Sequence, residues 1–525
     1  MSWTDGYVTD TNYTYGYYGE MSPQRVDFML GVAGFEGLPP GPCCELGFGQ
    51  GLSLAIHAAT NPSRTWHGTD FSTRQMLHAQ SLIDAAGVTA HLSDQSFAEY
   101  CRRTDLPDFA YIAIHGIWSW ISDANRQHLV DFIARKLKPG GALYLSYNTP
   151  PGWGPMIPIQ RLVSAHASTM GSKGMGSTHR MSQALDFVTH LLGDSSLFAK
   201  VNPTIDKRLT QLKTQDPVYL AHEYLNADWT PHFFDQVAAA LEPAKLEFAA
   251  SAEPLVHVPM LNFTAEQSQK LNAIPDLVLR ELARDVLTGR QFRRDIWVKG
   301  SRKLTGSERF DAFNRTRWVT NVARDKVPGS VKCTLGEAKL DEKNYGAIFD
   351  LLDQAKGPVI QSQLSEKLST MGASLNSLPQ SMMVLLGSWS IAPAQSDELI
   401  EAARPYTDRL NRHLLSQSPI RPDYHVLASP VIGGGLAVPH VMQLLLNARM
   451  TGASTMDQCA DRAAEWLVRL NKTMVRNGVG LTGLAENQAE MRAQAPVFFA
   501  QFDPPLSRLA LMPRNQNVTS PNNPN

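Results

Sequence analysis

The sequence predicts a doubly wound α/β domain at the front of the chain, on three observations. The apolar run "GPCCEL" ends at Glu45 and passes through three alternate glycines, Gly47, Gly49 and Gly51, into a helical run that begins near Leu52. Further apolar strands recur at "RTWHGTDFS", "VTAHLSDQSF", "PDFAYIAIHG" and "LKPGGALYLSY", with helical stretches between them. Acidic residues close the first three strands: Glu45, then Asp70 twenty-five residues on, then Asp94. Strands alternating with helices build a parallel sheet, and such sheets bind ligands beyond the carboxyl ends of their strands.

With 525 residues the chain is too long for one ordinary core, and several domains are expected. A formal net charge of −1 excludes a mainly electrostatic binder of nucleic acid or anionic membrane. The five cysteines, Cys43, Cys44, Cys101, Cys333 and Cys459, show no CxxC spacing and read as reduced thiols of a cytoplasmic protein. No apolar stretch is long enough to span a membrane, and "MSWTDGYVTDTNYTYGYYGE" lacks the basic and apolar regions of a secretion signal. Asn517-Val518-Thr519 matches the glycosylation pattern by chance.

The glycine turn narrows the ligand. A dinucleotide fingerprint needs a third glycine at position 52, which is leucine, and a Walker loop needs a lysine after Gly51, which is absent. What stands is E-x-G-x-G-x-G, in which residues without a Cβ let the backbone approach a ligand closely. This motif resembles the first motif of class I S-adenosylmethionine-dependent methyltransferases. The resemblance implies a Rossmann-like fold with a seven-stranded doubly wound sheet and S-adenosyl-L-methionine as cofactor. It assigns Glu45, Gly47, Gly49 and Gly51 to the methionyl part, Asp70 with Phe71 to the ribose, and Asp94, Ser96 and Phe97 to the adenine. Metal is not expected, because His222 and Glu223 supply too few ligands.

The methyl acceptor should approach past the ends of the fourth and fifth strands, at "IHGIWSW" and "SYNTPPGW". His115, which also borders the cofactor, Tyr147 and Asn148 are the candidate catalytic residues, since transfer needs a positioned nucleophile and a destination for one proton. Trp118, Trp120 and Trp153 offer ring faces to a cationic amine, with core packing as the alternative for the first two. Tyr13, Tyr15, Tyr17 and Tyr18 precede a helix starting near Ser22-Pro23, and this segment is expected to act as a lid, with Tyr17 on the cofactor. His222, Glu223, Tyr224 and Asn226 invite a catalytic reading, but their spacing does not place them on one helix face, and they read as a fold-closing hydrogen-bond cluster at the cofactor or acceptor mouth.

Residues 1–165 are therefore expected to form the cofactor domain with its lid, and 166–304 an α+β regulatory domain. Within it, "TMGSKGMGSTHR" reads as a flexible loop, and Thr230-Pro231 as the cap of the helix carrying "FFDQVAAAL". "YLAHEYLN", "WTP" and "FRRDIWVKG" resemble the regulatory region of a group of bacterial methyltransferases that includes protein lysine methyltransferases acting on a rickettsial outer-membrane protein. Residues 305–511 read as a helical, winged-helix-like domain, and 512–525 as a disordered tail. The winged-helix pattern raises nucleic-acid binding, but its recognition face lacks a Lys/Arg cluster, so docking of protein is expected. The function implied is N-methylation of a protein lysine, with a small-molecule or glycan acceptor, or a non-catalytic cofactor sensor, as alternatives. The expected partner is a protein acceptor, and a homodimer is allowed for.

Overall fold

A computed structural model describes residues 6–11, 13–172, 174–193 and 196–514; residues 515–525, which hold most of the expected tail and the Asn517 motif, lie outside the described residues. A seven-stranded sheet forms its centre, in the order β3-β2-β1-β4-β5-β7-β6. The strands are β1 (Cys43–Leu46), β2 (Trp66–Thr69), β3 (Ala90–Ser93), β4 (Phe109–Ile114), β5 (Leu137–Asn148), β6 (Glu247–Ser251) and β7 (Phe292–Val298). Strands β1 to β5 pair in parallel, and β7 runs antiparallel between β5 and β6. Every residue of β1, β2 and β4 is buried, as a parallel sheet covered on both faces requires.

Helices α1 (Pro23–Ala33), α2 (Leu52–Thr60) and α3 (Thr73–Ala86) follow local signals. Ser22 caps α1 by accepting from the Arg25 amide at 3.3 Å, Pro23 occupies its first turn, and Gly34 ends it in the left-handed region. Gly51 starts α2 at φ +73°, and a Cβ there would lie 2.2 Å from the Ala79 Cβ. Gly51 thus lets α2 and α3 pack closely.

The sheet does not stop at residue 165. Its last two strands lie in the stretch expected to form a separate α+β domain, and residue 165 falls inside the helix Ile157–Thr169. The physical cause is pairing: β5 would otherwise be an exposed edge, and β7 covers it from Ala142↔Val298 to Asn148↔Phe292. Between β5 and β6, the helices Ile157–Thr169, Ser177–Leu192, Ile205–Leu212 and Pro217–Tyr224 share a small core of their own, including Ile159, Val163, Leu185, Leu209 and Tyr224. The expected flexible loop is shortened at Ser177, where Asp10 accepts from both the backbone amide and the hydroxyl at 2.6 Å. Thr230-Pro231 does not cap a helix: the helix begins at Phe234, and the Thr230 amide donates to the Ser119 carbonyl at 2.8 Å.

Past residue 305 lies a three-stranded antiparallel sheet whose middle strand is Arg317–Thr320, flanked by Val359–Ile360 and Ile391–Ala394. The winged-helix expectation is corrected in one respect. The helix in the recognition position, Leu378–Gly387, buries Leu378, Met382, Met383, Val384, Leu385 and Leu386, so it serves as core and presents no reading face. The long helix Asp397–Gln417 packs on α2 and α3, and Arg409 donates to the Ala86 carbonyl at 2.8 Å. One hydrophobic core runs through both regions, joining Leu54, Ile56 and Ile83 to Leu410, Leu414, Leu427 and Val431. The carboxyl-terminal region is therefore a wall of the first domain. Leu410→Ala should destabilise by about 2–5 kcal/mol and lower the melting of the whole chain in one transition. Calorimetry showing an unchanged first transition beside a weakened second one would contradict the shared core.

Candidate functional site

A cavity opens at the carboxyl ends of β1, β2 and β4, bounded by Glu45, Gly47, Gly49, Asp70, Phe71, Ser96, Phe97 and His115 among others. Its floor is the glycine turn. The Gly49 amide donates to Asp70 at 2.9 Å, and the residue holds φ +56°, a conformation in which side chains are strained. A Cβ on Gly47 would strike Ile117 at 2.4 Å. The Asp70 carboxylate also accepts from the Ser72 amide at 3.1 Å, and burial raises its pKa to about 6 against those two bonds.

Glu45 is the electrostatic centre. It is 4% exposed, and its Oε2 has no hydrogen-bond partner. Burial first, and then the charge of Asp70, push its pKa to about 8. A buried carboxyl facing a cavity with an open oxygen is complementary to a donor, above all a cationic one.

The roof is the amino-terminal segment. Ser53 Oγ accepts from the Tyr18 amide at 3.0 Å, and Gln50 donates to the Tyr13 carbonyl at 3.3 Å, so the segment is strapped to α2. At its other end Asn226 accepts from the Val8 amide at 3.0 Å, and His222 Nε2 shares a proton with Thr11 Oγ1 at 3.1 Å. Tyr7, Tyr13 and Tyr18 line the cavity, and Tyr18 stacks on His115 with ring centres 3.7 Å apart.

Several expected residues stand elsewhere. Tyr17 accepts from the Gly435 amide at 2.5 Å and tilts against His57, so it anchors the carboxyl-terminal region and is not part of the cavity wall. Gly51 faces Ala79, as described above. Asp94 is exposed, accepts from Thr73 Oγ1 at 2.9 Å and lies off the wall; Gln95 takes the adjoining position on it. Ser96 is on the wall, but its hydroxyl is committed to Glu99 in a capping box. Tyr147 is on the opposite face of β5 and donates to Asp295 at 2.8 Å, which removes it from any acceptor role. His115 shares a proton with Tyr144 through Nδ1 at 2.9 Å, and burial, then Arg294, hold its pKa down at about 3, so it is a neutral ring and a poor proton acceptor. Asn148 is buried behind the lining residues, and Trp118 is core while Trp120 lines the cavity. Sequence reasoning did not select Tyr7, Gln50, Ser53 or Ile117. Tyr7 shares the tyrosine-rich segment, but the others carry no local signal. Among the described residues no cluster could hold a metal ion, and no helix is long and apolar enough to cross a membrane.

Comparison with known proteins places this geometry. A family pattern described as "predicted methyltransferase regulatory domain" matches residues 216–299. An uncharacterized protein of Synechocystis sp., sll1526, is 34% identical over 517 residues, which cover 97% of this chain and 100% of the relative. The chain belongs to this family of class I methyltransferases with a regulatory domain. An uncharacterized protein of Rickettsia prowazekii, RP789, is 27% identical over 54% of this chain and 50% of its own length. Among solved structures, PKMT2 from Rickettsia typhi in complex with AdoHcy superposes with a TM-score of 0.69 at 18% identity, covering 95% of this chain and 99% of that one. This chain therefore shares that fold over nearly its whole length, and the matched residues 216–299 supply the edge strand β6 and its neighbour β7.

The Glu45 carboxyl sets a trade of stability against binding. Its folded pKa lies above the unfolded value, so the folded state binds the extra proton, and stability present below about pH 4.5 is lost as pH rises through about 8. Glu45→Gln should therefore melt higher than the parent above pH 8, by an amount worth about 1–3 kcal/mol, and no higher near pH 4. A pH series of thermal melts on both proteins checks the sign.

Proposed function

We propose that this methyltransferase transfers the methyl group of S-adenosylmethionine to a lysine amine of a protein. The observation that carries the cofactor is Glu45, a buried carboxyl with an open oxygen above a turn of residues without Cβ atoms. The residues present fit the donor: Glu45 would meet its ammonium group, the Gly47 and Gly49 backbone would admit the methionyl chain, Asp70 would accept from the ribose hydroxyls, and Phe71, Phe97 and Ile117 would flank the base. When bound, S-adenosylmethionine supplies an electrophilic methyl group on a positively charged sulfur.

The protein's own part is to orient and to exclude water. Tyr18, His115 and Trp120 wall off the acceptor end with apolar ring surface, which favours the neutral form of an approaching amine. A primary amine with an ordinary pKa of about 10.4 must lose a proton before it can attack, and desolvation lowers that demand. The lysine reading is supported by this aromatic end and by the resemblance of residues 216–299 to the regulatory region described above.

Gly49→Val should abolish binding of S-adenosylmethionine, because the branched chain strains a left-handed position and enters the cavity. Asp70→Ala should weaken it by about 1–3 kcal/mol. Calorimetric titration of both variants, with melting curves as a folding control, decides the matter; undiminished binding by folded Gly49→Val would refute the cofactor site.

A further inference from the structure

One carboxylate beside the cavity is not used by anything above. Glu223 projects from the helix Pro217–Tyr224, where its neighbour His222 holds Thr11, and Asn226 just past the helix end holds Val8. Glu223 makes no ion pair among the described residues, and it keeps only partial exposure. An ionised carboxylate in that setting is costly unless a cation arrives to meet it.

Its surroundings are aromatic. Tyr7 and Tyr13 of the amino-terminal strap and Tyr219 and Tyr224 of its own helix all lie within electrostatic reach of Glu223. Tyr7 and Tyr13 also line the cofactor cavity, as does Tyr18, which is hydrogen-bonded to Tyr13. Tyr7 and Tyr13 are therefore shared between the cofactor cavity and the surroundings of Glu223. Beneath it, Asn148 lies beside the carboxylate, on the same face of β5 as Ser146 and as Tyr144, which bonds His115. The Asn148 backbone is fixed by Ser119 Oγ at 3.0 Å and by the His232 amide at 2.9 Å. A carboxylate without a cation, steadied by the Asn148 amide beside it and bordered by ring faces, forms a receptor for an organic ammonium ion.

We infer that Glu223 receives the acceptor's ammonium group and takes its proton, which names the substrate class as a primary amine on a flexible chain. This rests on the methyltransferase reading above. The chemistry balances: the ammonium gives one proton to the carboxylate, and the freed nitrogen lone pair forms the new N–C bond. The C–S bond of the donor breaks with its electrons passing to sulfur. Burial raises the Glu223 carboxyl to about pKa 7, with Asn148 alone pulling the other way, so the group is poised to hold and release that proton near neutrality. A hydroxyl acceptor would bring no charge to offset the carboxylate.

The test uses the full chain loaded with S-adenosylhomocysteine and titrated with n-butylamine, a mimic of the lysine side chain, and with n-butanol as its neutral counterpart. The amine should bind and the alcohol should not, with amine affinity rising from pH 6 to pH 8 as Glu223 ionises. Glu223→Gln should lose roughly tenfold or more in amine affinity, the scale of one desolvated charge pair, with S-adenosylhomocysteine affinity unchanged. Glu223→Asp, which keeps the charge, should recover part of it and guards against a folding defect. Equal binding of amine and alcohol, or parental amine affinity in folded Glu223→Gln, overturns the inference while leaving the cofactor site standing. Failure of the parent to bind S-adenosylhomocysteine overturns both.

Discussion

The guanidinium of Arg293 holds the molecule to its plan. It is 3% exposed and donates to Asp285 at 2.7 Å, Asp295 at 2.8 Å and Glu281 at 3.0 Å. The three carboxylates come from β7 and from the helix Leu277–Thr288, and Tyr147 of β5 donates to the same Asp295. A charge taken out of water is tolerable only when its partners are all in place, and losing one partner typically costs about 3–5 kcal/mol. The network therefore specifies one seating of β7 against β5. Everything at the acceptor end follows from that seating, because Phe292 and Arg294 on β7 stand beside Asn148 and Ser146.

Arg294, the next residue, carries the constraint across the sheet to the roof. It pairs with Glu253 after β6 and with Glu20 at 2.7 Å, just behind the strap that carries Tyr13 and Tyr18. The strap is thus held at several points: by Arg294, by Gln50 in the glycine turn and Ser53 on α2, by His222 on the helix Pro217–Tyr224 and by Asn226 just past its end. Three of those residues, His222, Asn226 and Arg294, lie within the matched stretch 216–299. The regulatory domain acts on the site as structure, since it closes the sheet and anchors the roof.

The cavity shows how a binding site stores instability. Glu45, His57 and His115 are all buried with their pKa values displaced toward the neutral form, to about 8, 3 and 3. Only Glu45 faces the cavity with an open oxygen, so only there can a ligand repay the desolvation. The two histidines are silent at neutral pH, and their aromatic faces matter more than their protons: His57 lies against Trp66 and His115 under Tyr18.

The sequence by itself determined the parts of this protein that obey local rules. The strand-to-helix turn with Glu45, Gly47 and Gly49, the cap of α1, and Asp70 after β2 are legible because each depends on residues within one turn of the chain. Tertiary structure decided what depends on facing. Tyr147 and Asn148 are adjacent in sequence, yet strand alternation sends the first to a buried acid and the second toward Glu223. Tyr17 and Tyr18 divide likewise, one to Gly435 and one to His115. The true extent of the sheet and the inward-facing helix Leu378–Gly387 were out of reach for the same reason. Each is defined by partners tens to hundreds of residues away, and no local pattern records which distant surface a side chain will meet.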